Sequence, residues 1–202
     1  MFSLLDKNNK INEHKHSLFI TYPRTVNILF GNYPYPEVIH NLIIEIKNNI
    51  DKDLQNYTNV KGNMTQWDYF VNNKFFNNFM TYFINKHQSS HPDLFQHFFS
   101  KNIVESAWGN EIKKGDSLTL HDHHCYHGIL YLTKGCDLIF PELNMKVTPQ
   151  PGDYYFFPPT IFHGFDEYQG DPNRYSLVFN IVKNKGFDYN KRIKEKNERK
   201  NS

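Results

Sequence analysis

From Asn102 onward the chain breaks into short runs of Ile, Val, Leu, Tyr and Phe, at 103–112, 117–124, 128–133, 137–140, 145–148, 154–157, 161–166 and 175–182. Turn-forming residues lie between them at Lys114-Gly115, Lys134-Gly135, Pro151-Gly152 and Gln169 to Pro172. No other feature limits the fold as much. Eight short strands with regular turns predict a jelly-roll barrel, a double-stranded β-helix.

The first half reads differently. Residues 16 to 31 alternate apolar and β-branched positions (Leu18, Ile20, Val26, Ile28, Phe30), which predicts two short strands split at Tyr22, Pro23 and Arg24. Pro36 opens a helix from Glu37 to about Asp51, with Val38, Leu42, Ile43 and Ile46 as its buried stripe. Residues 52 to 64 are polar and read as a loop. Thr65 is a candidate N-cap for a longer helix to about Lys86, with Trp67, Phe70, Val71, Phe75, Phe79 and Phe83 on its periodic face. A short helix, His91 to Ser100, follows with Pro92 in its first turn. The expected class is α+β, with N-terminal helices packed on one sheet of the barrel.

Length and charge bound the rest. At 202 residues the chain suits one domain, read here as residues 1–182, followed by a basic, flexible tail at 183–202. The formal net charge is +2 and its basic excess sits in that tail, so no general nucleic-acid binding is expected. Cys125 and Cys136 form neither a disulfide framework nor a C-x-x-C pattern, which favours a reducing compartment. No apolar run reaches the roughly 18 residues of a membrane span, and the N-terminus does not read as a signal peptide. The expectation is a cytoplasmic protein without membrane association.

The densest chemical signal is His121-Asp122-His123 on a predicted strand. Side chains two apart on a strand share a face, roughly 7 Å apart before their rings converge, which suits two ligands of one ion. Neutral imidazole favours zinc, iron, copper or nickel over calcium or magnesium. A third histidine, His163, follows the Pro151-Gly152 turn, the Tyr154 to Phe157 strand and the Pro158-Pro159 corner. Gly115, five residues, His121-x-His123, then Gly152, five residues, Pro158, four residues, His163 is similar to the two-motif spacing of cupins. The first cupin motif usually continues to a ligand glutamate, near where this chain has His127 or Gly128. His124 and His127 carry no assigned role, with solvent-facing or loop positions expected.

Eleven residues after His163 stands Arg174, with Ser176 two further along on the same strand face. A guanidinium beside a hydroxyl suits a carboxylate, held through two parallel hydrogen bonds. The alternative is an ion pair to a nearby acid, Asp166 or Asp171.

Taken together, Asn59-Val60-Lys61, Met64-Thr65, Trp108-Gly109-Asn110, His121-Asp122-His123, Gly128 to Leu132, Pro151-Gly152-Asp153, Phe157-Pro158-Pro159, His163 and Arg174 to Asn180 resemble the iron(II)/2-oxoglutarate oxygenases. The small, phage-type members distantly similar to prolyl 4-hydroxylases are the nearest match. The resemblance covers roughly residues 59 to 182. It implies a hydroxylase that uses Fe(II) and 2-oxoglutarate. His121 and His163 would be iron ligands, Arg174 and Ser176 would hold the distal carboxylate of 2-oxoglutarate, and Tyr131 would add a hydroxyl contact or simply pack in the barrel.

The departure is at the second ligand. Most of that superfamily has H-x-D or H-x-E, and this chain has His123, so the expected metal set is His121, His123 and His163. Asp122 would serve only if a bulge turned it inward. Two rival readings are a cupin-type three-histidine metalloenzyme that does not use 2-oxoglutarate, and a non-catalytic metal-binding barrel. The primary substrate, whether protein side chain, nucleobase or metabolite, has no signature in the sequence.

Overall fold

The computed structural model describes residues 26–51, 59–95 and 102–183. Among these residues the strands are β1 (Leu29–Asn32), β2 (Asn63–Met64), β3 (Asn102–Ile112), β4 (Leu118–His121), β5 (Tyr126–Tyr131), β6 (Leu138–Phe140), β7 (Met145–Val147), β8 (Asp153–Phe157), β9 (His163–Phe165) and β10 (Arg174–Lys183). The helices are α1 (Pro36–Asn48), α2 (Lys74–His87) and the single turn α3 (Pro92–Phe95). One antiparallel sheet has the order β1-β8-β5-β10-β3-β2 and the other the order β4-β9-β6-β7. This is the jelly-roll α+β fold that the strand pattern predicts, built as two facing sheets, not as a closed barrel.

Period-two alternation divides the large sheet into two faces. On β5 and β10, Leu130, Leu177 and Phe179 point outward and pack with Leu42, Ile46, Phe76, Phe79 and Phe83 of the helices. Trp108, Ile129, Tyr131 and Val178 point inward and share a second core with Leu138 and Phe140 of the small sheet. Helices therefore cover one face, and the small sheet covers the other. Two glycines make room for this packing: a Cβ on Gly109 would lie 2.2 Å from Ile46 of α1, and one on Gly128 would lie 2.1 Å from the ring of Phe179, its register partner in the same sheet.

Helix α1 begins at Pro36 and buries Val38, Ile39, Leu42 and Ile46, close to the predicted stripe. Helix α2 starts later than predicted. Thr65 is not its N-cap: the Thr65 hydroxyl accepts from the Gly109 backbone N–H at 3.0 Å, and the Thr65 N–H donates to the Gly109 carbonyl at 3.0 Å, fastening residue 65 to β3. The cap is Asn73, whose side-chain oxygen accepts from the N–H groups of Phe75 and Phe76. Trp67, Phe70 and Val71 precede the helix in turns.

The second strand expected in residues 16 to 31 appears as β1, while the first lies outside the described residues, as do most of the 52 to 64 loop and the end of the His91 to Ser100 helix. The end of that loop is a short strand, β2, paired with β3. Lys183, assigned to the tail by its charge, closes β10; the remainder of the tail lies outside the described residues. Among the described residues no helix is long and apolar enough to cross a membrane.

Candidate metal centre

His121 closes β4 and His163 opens β9, and the two are register partners, with ring centroids 4.5 Å apart. His123 lies two residues beyond β4, with its ring 4.8 Å from that of His121 and 5.2 Å from that of His163. One potential ligand atom from each of the three comes within 4.8 Å of the others. A register irregularity between Leu118 and His121 inserts one residue into β4 relative to β9, so that Leu118, His121 and His123 all line one pocket between the sheets. Asp122 is exposed and outside this group despite that bulge.

Two of the imidazoles, His121 and His163, are presented in one tautomer. Nδ1 of His121 is 2.8 Å from the Thr119 carbonyl, and Nδ1 of His163 is 3.2 Å from the Ile161 carbonyl. A carbonyl only accepts, so in the neutral ring Nδ1 carries the proton and Nε2 keeps its lone pair, the arrangement usual for metal-ligating histidines. Burial holds all three below the ordinary histidine value, with His123 pushed down to about 4 and His163 to about 3. Neighbouring histidine rings add to this at His123 and His163, while the Thr119 carbonyl and Asp122 oppose it at His121. Neutral imidazoles are ready to donate.

Arg174, at the other end of the pocket, is 3% exposed. Its guanidinium lies over the rings of Phe165 and Tyr131, at 4.4 Å and 5.0 Å from their centroids, and donates to the Cys136 sulfur at 3.1 Å. No carboxylate pairs with it among the described residues, and Nε has no partner. The expected alternative of an ion pair to Asp166 or Asp171 is not what the structure shows. Phe165 is two residues along β9 from His163, so about 7 Å of strand separates a ligand position from the ring beneath the guanidinium.

The registers bring the other polar groups into rows. Ser176 pairs with Asn110 on one side and Tyr131 on the other, and Asn180 pairs with His127. Burial raises the Tyr131 phenol, so that it stays a hydroxyl. Seven buried side-chain polar atoms lack a hydrogen-bond partner among the described residues, and six belong to residues lining this pocket: Trp108, Asn110, His123, Tyr131, His163 and Arg174. Leaving such groups unpaired costs about 1–3 kcal/mol each, so their convergence marks a place where a polar ligand belongs. Three neutral imidazoles at one end and an unpaired cation at the other fit a metal ion with a carboxylate cosubstrate.

His127 is neither solvent-facing nor in a loop, as had been expected for it. It lies on β5, 3% exposed, with Nδ1 2.7 Å from the Asn180 side-chain oxygen and its ring stacked on His123 at 3.8 Å and 9°. Its odd-numbered place beside Ile129 and Tyr131 was the available signal. His124, by contrast, is exposed. Thr160, at φ 68°, donates its N–H to the His123 carbonyl at 3.0 Å and pins that backbone from the β8–β9 loop.

No family model matches the chain, and neither does any curated protein. Solved structures do share its fold. A viral collagen prolyl hydroxylase from Paramecium bursaria Chlorella virus-1, in its 2OG complex, superposes with a TM-score of 0.59 at 15% identity, covering 76% of this chain and 94% of that one. A Pseudomonas putida prolyl-4-hydroxylase gives 0.58 at 13% identity, covering 78% and 92%. HygX from Streptomyces hygroscopicus, with nickel and 2-oxoglutarate bound, gives 0.59 at 9% identity, covering 80% and 84%. At these identities the likeness is one of fold.

Proposed function

We propose that the protein is an iron(II)- and 2-oxoglutarate-dependent oxygenase that hydroxylates a substrate still to be identified. His121, His123 and His163 hold the iron, Arg174 and Ser176 receive the distal carboxylate of 2-oxoglutarate, and Tyr131 adds a hydroxyl contact. One observation carries this reading: Nε2 of His123, Nε2 of His163 and Nε of the buried Arg174, each without a hydrogen-bond partner among the described residues, belong to side chains that line the same pocket as His121. The shared fold supports it, because one of the similar proteins holds nickel with 2-oxoglutarate and another is a 2OG complex.

When bound, iron(II) and 2-oxoglutarate supply an oxidation that consumes oxygen, releases succinate and CO2, and hydroxylates the substrate. The chain's own part is positioning. The Thr119 and Ile161 carbonyls fix the His121 and His163 rings. Arg174 offers a planar fork of donors on an aromatic platform, which orients a carboxylate as a lysine would not. Trp108, Ile129 and Val178 wall the pocket with apolar surface and keep bulk water from it. Asn110 and the Trp108 indole N–H remain available to polar groups of a cosubstrate or substrate.

Against this stands a second reading, a cupin-type three-histidine metalloenzyme that does without 2-oxoglutarate, favoured by the absence of a carboxylate from the ligand group. The deciding test is anaerobic titration of the iron(II)-loaded protein with 2-oxoglutarate, following the visible charge-transfer band. The oxygenase reading expects a saturable band that weakens in Arg174→Ala and in His163→Ala. Iron binding without a band selects the cupin reading, and no iron binding selects a structural barrel.

A further inference from the structure

A second group of ligating side chains lies on the outside of the molecule. Glu105, His124 and Cys125 bring one potential ligand atom each within 4.8 Å of one another. The Glu105 carboxylate is 3.6 Å from Nε2 of His124. Cys125 is a free thiol, 4% exposed, beneath them.

The fold places these three together by a specific irregularity. Ile181 of β10 pairs with Val104 on one side and Tyr126 on the other, so residues next to 104 and next to 126 meet at one end of the sheet. On the β3 side the register jumps from Asn180 opposite Ser106 to Ile181 opposite Val104, which leaves Glu105 as the extra residue of a bulge. Bulges re-aim side chains, and this one frees Glu105 from the ladder to reach the 124–125 turn. In that turn consecutive residues diverge: His123 faces the inner pocket and His124 faces solvent.

We propose that Glu105, His124 and Cys125 form a second, outer site for a thiophilic divalent cation of the zinc class. A thiolate, an imidazole and a carboxylate are a zinc ligand set, and three protein ligands leave the fourth tetrahedral position to water. Bonds of about 2.0–2.3 Å require the donors to close to roughly 3.5 Å of one another. The exposed side chains of His124 and Glu105 are free to make that movement over the fixed Cys125. Binding expels the thiol proton to solvent and ties the His123-bearing segment to β3. The site does not depend on what the inner pocket holds.

Cobalt(II) distinguishes the two sites because the inner ligand group contains no sulfur. Chelator-stripped, full-length protein is titrated with cobalt(II) while the near-ultraviolet sulfur-to-cobalt charge-transfer absorption is recorded. The expected result is a band that saturates by two cobalt per chain, the inner histidines taking the other ion without a sulfur band, collapses when zinc is added, and persists in His163→Ala and Cys136→Ser. It vanishes in Cys125→Ser. His124→Ala, at an exposed position that leaves the fold intact, weakens the apparent affinity by at least the roughly tenfold seen when even a supporting partner of a ligand is lost. No band in the wild-type protein, a band unaffected by His124→Ala, or one that follows Cys136 overturns the proposal.

Discussion

Arg174 is a costly residue to bury. Its charge is removed from water and set on two aromatic faces, with a sulfur as its hydrogen-bond acceptor and no carboxylate beside it. An uncompensated buried charge opposes folding, and an apolar side chain of similar volume is often the more stable occupant. Arg174→Met should therefore raise the stability of the metal-free protein by about 1 kcal/mol or more. It should also weaken 2-oxoglutarate binding by roughly a hundredfold, the worth of one or two charge-assisted hydrogen bonds. Thermal unfolding with and without cosubstrate measures both effects, and a variant that is less stable and still binds would remove Arg174 from the proposed role. Residues of this kind stand out in sequence because their chemistry is rare on a strand. His127 did not, since a histidine next to a glycine reads equally well as loop. Beyond its alternation with Ile129 and Tyr131, its register against Asn180 and its stacking on His123 place it in the pocket.

At the scale of elements, the strands were readable because period-two alternation and turn residues are local signals: each of the eight runs predicted after Asn102 overlaps an observed strand. Long-range pairing was not readable. Thr65 has the composition of a helix cap, but its hydroxyl and its N–H are both taken by Gly109, a partner 44 residues away, and this leaves Asn73 to start α2. The same limit hid the bulge at Glu105, which exists only relative to β10. The two caps can be separated by experiment. Asn73→Ala removes the acceptor for two helix N–H groups and should cost about 1 kcal/mol, with α2 still formed because Phe76, Phe79 and Phe83 stay buried. Urea unfolding followed by circular dichroism tests this, with an unchanged folded spectrum expected. Loss of helical signal in the folded baseline would mean that α2 depends on its cap more than on its packing.

For the molecule as a whole, the space between the sheets sets a pH dependence. His121, His123, His127 and His163 are all held below the ordinary histidine value, chiefly by burial, with His123 at about 4 and His163 at about 3. In the unfolded chain each takes up a proton near pH 6.5. Between that value and the folded ones the unfolded state binds protons that the folded state excludes, so stability rises with pH in this window. It is complete above about 6.5 and is lost as the pH falls through the folded values, about 4 for His123 and about 3 for His163. With several imidazoles acting together, the metal-free protein should lose more than about 1.4 kcal/mol per pH unit between pH 6 and 5, the slope of a single proton. His127→Phe keeps an aromatic ring against His123 and removes one titrating group from the unfolded state, so its slope should be shallower by about one proton. Urea midpoints at half-unit pH intervals in the presence of chelator give both slopes. A flat wild-type profile would mean that the four rings are open to water and protons in the folded protein. The shallower profile of His127→Phe would instead locate the acid sensitivity in the same pocket whose unpaired nitrogens mark the proposed metal centre.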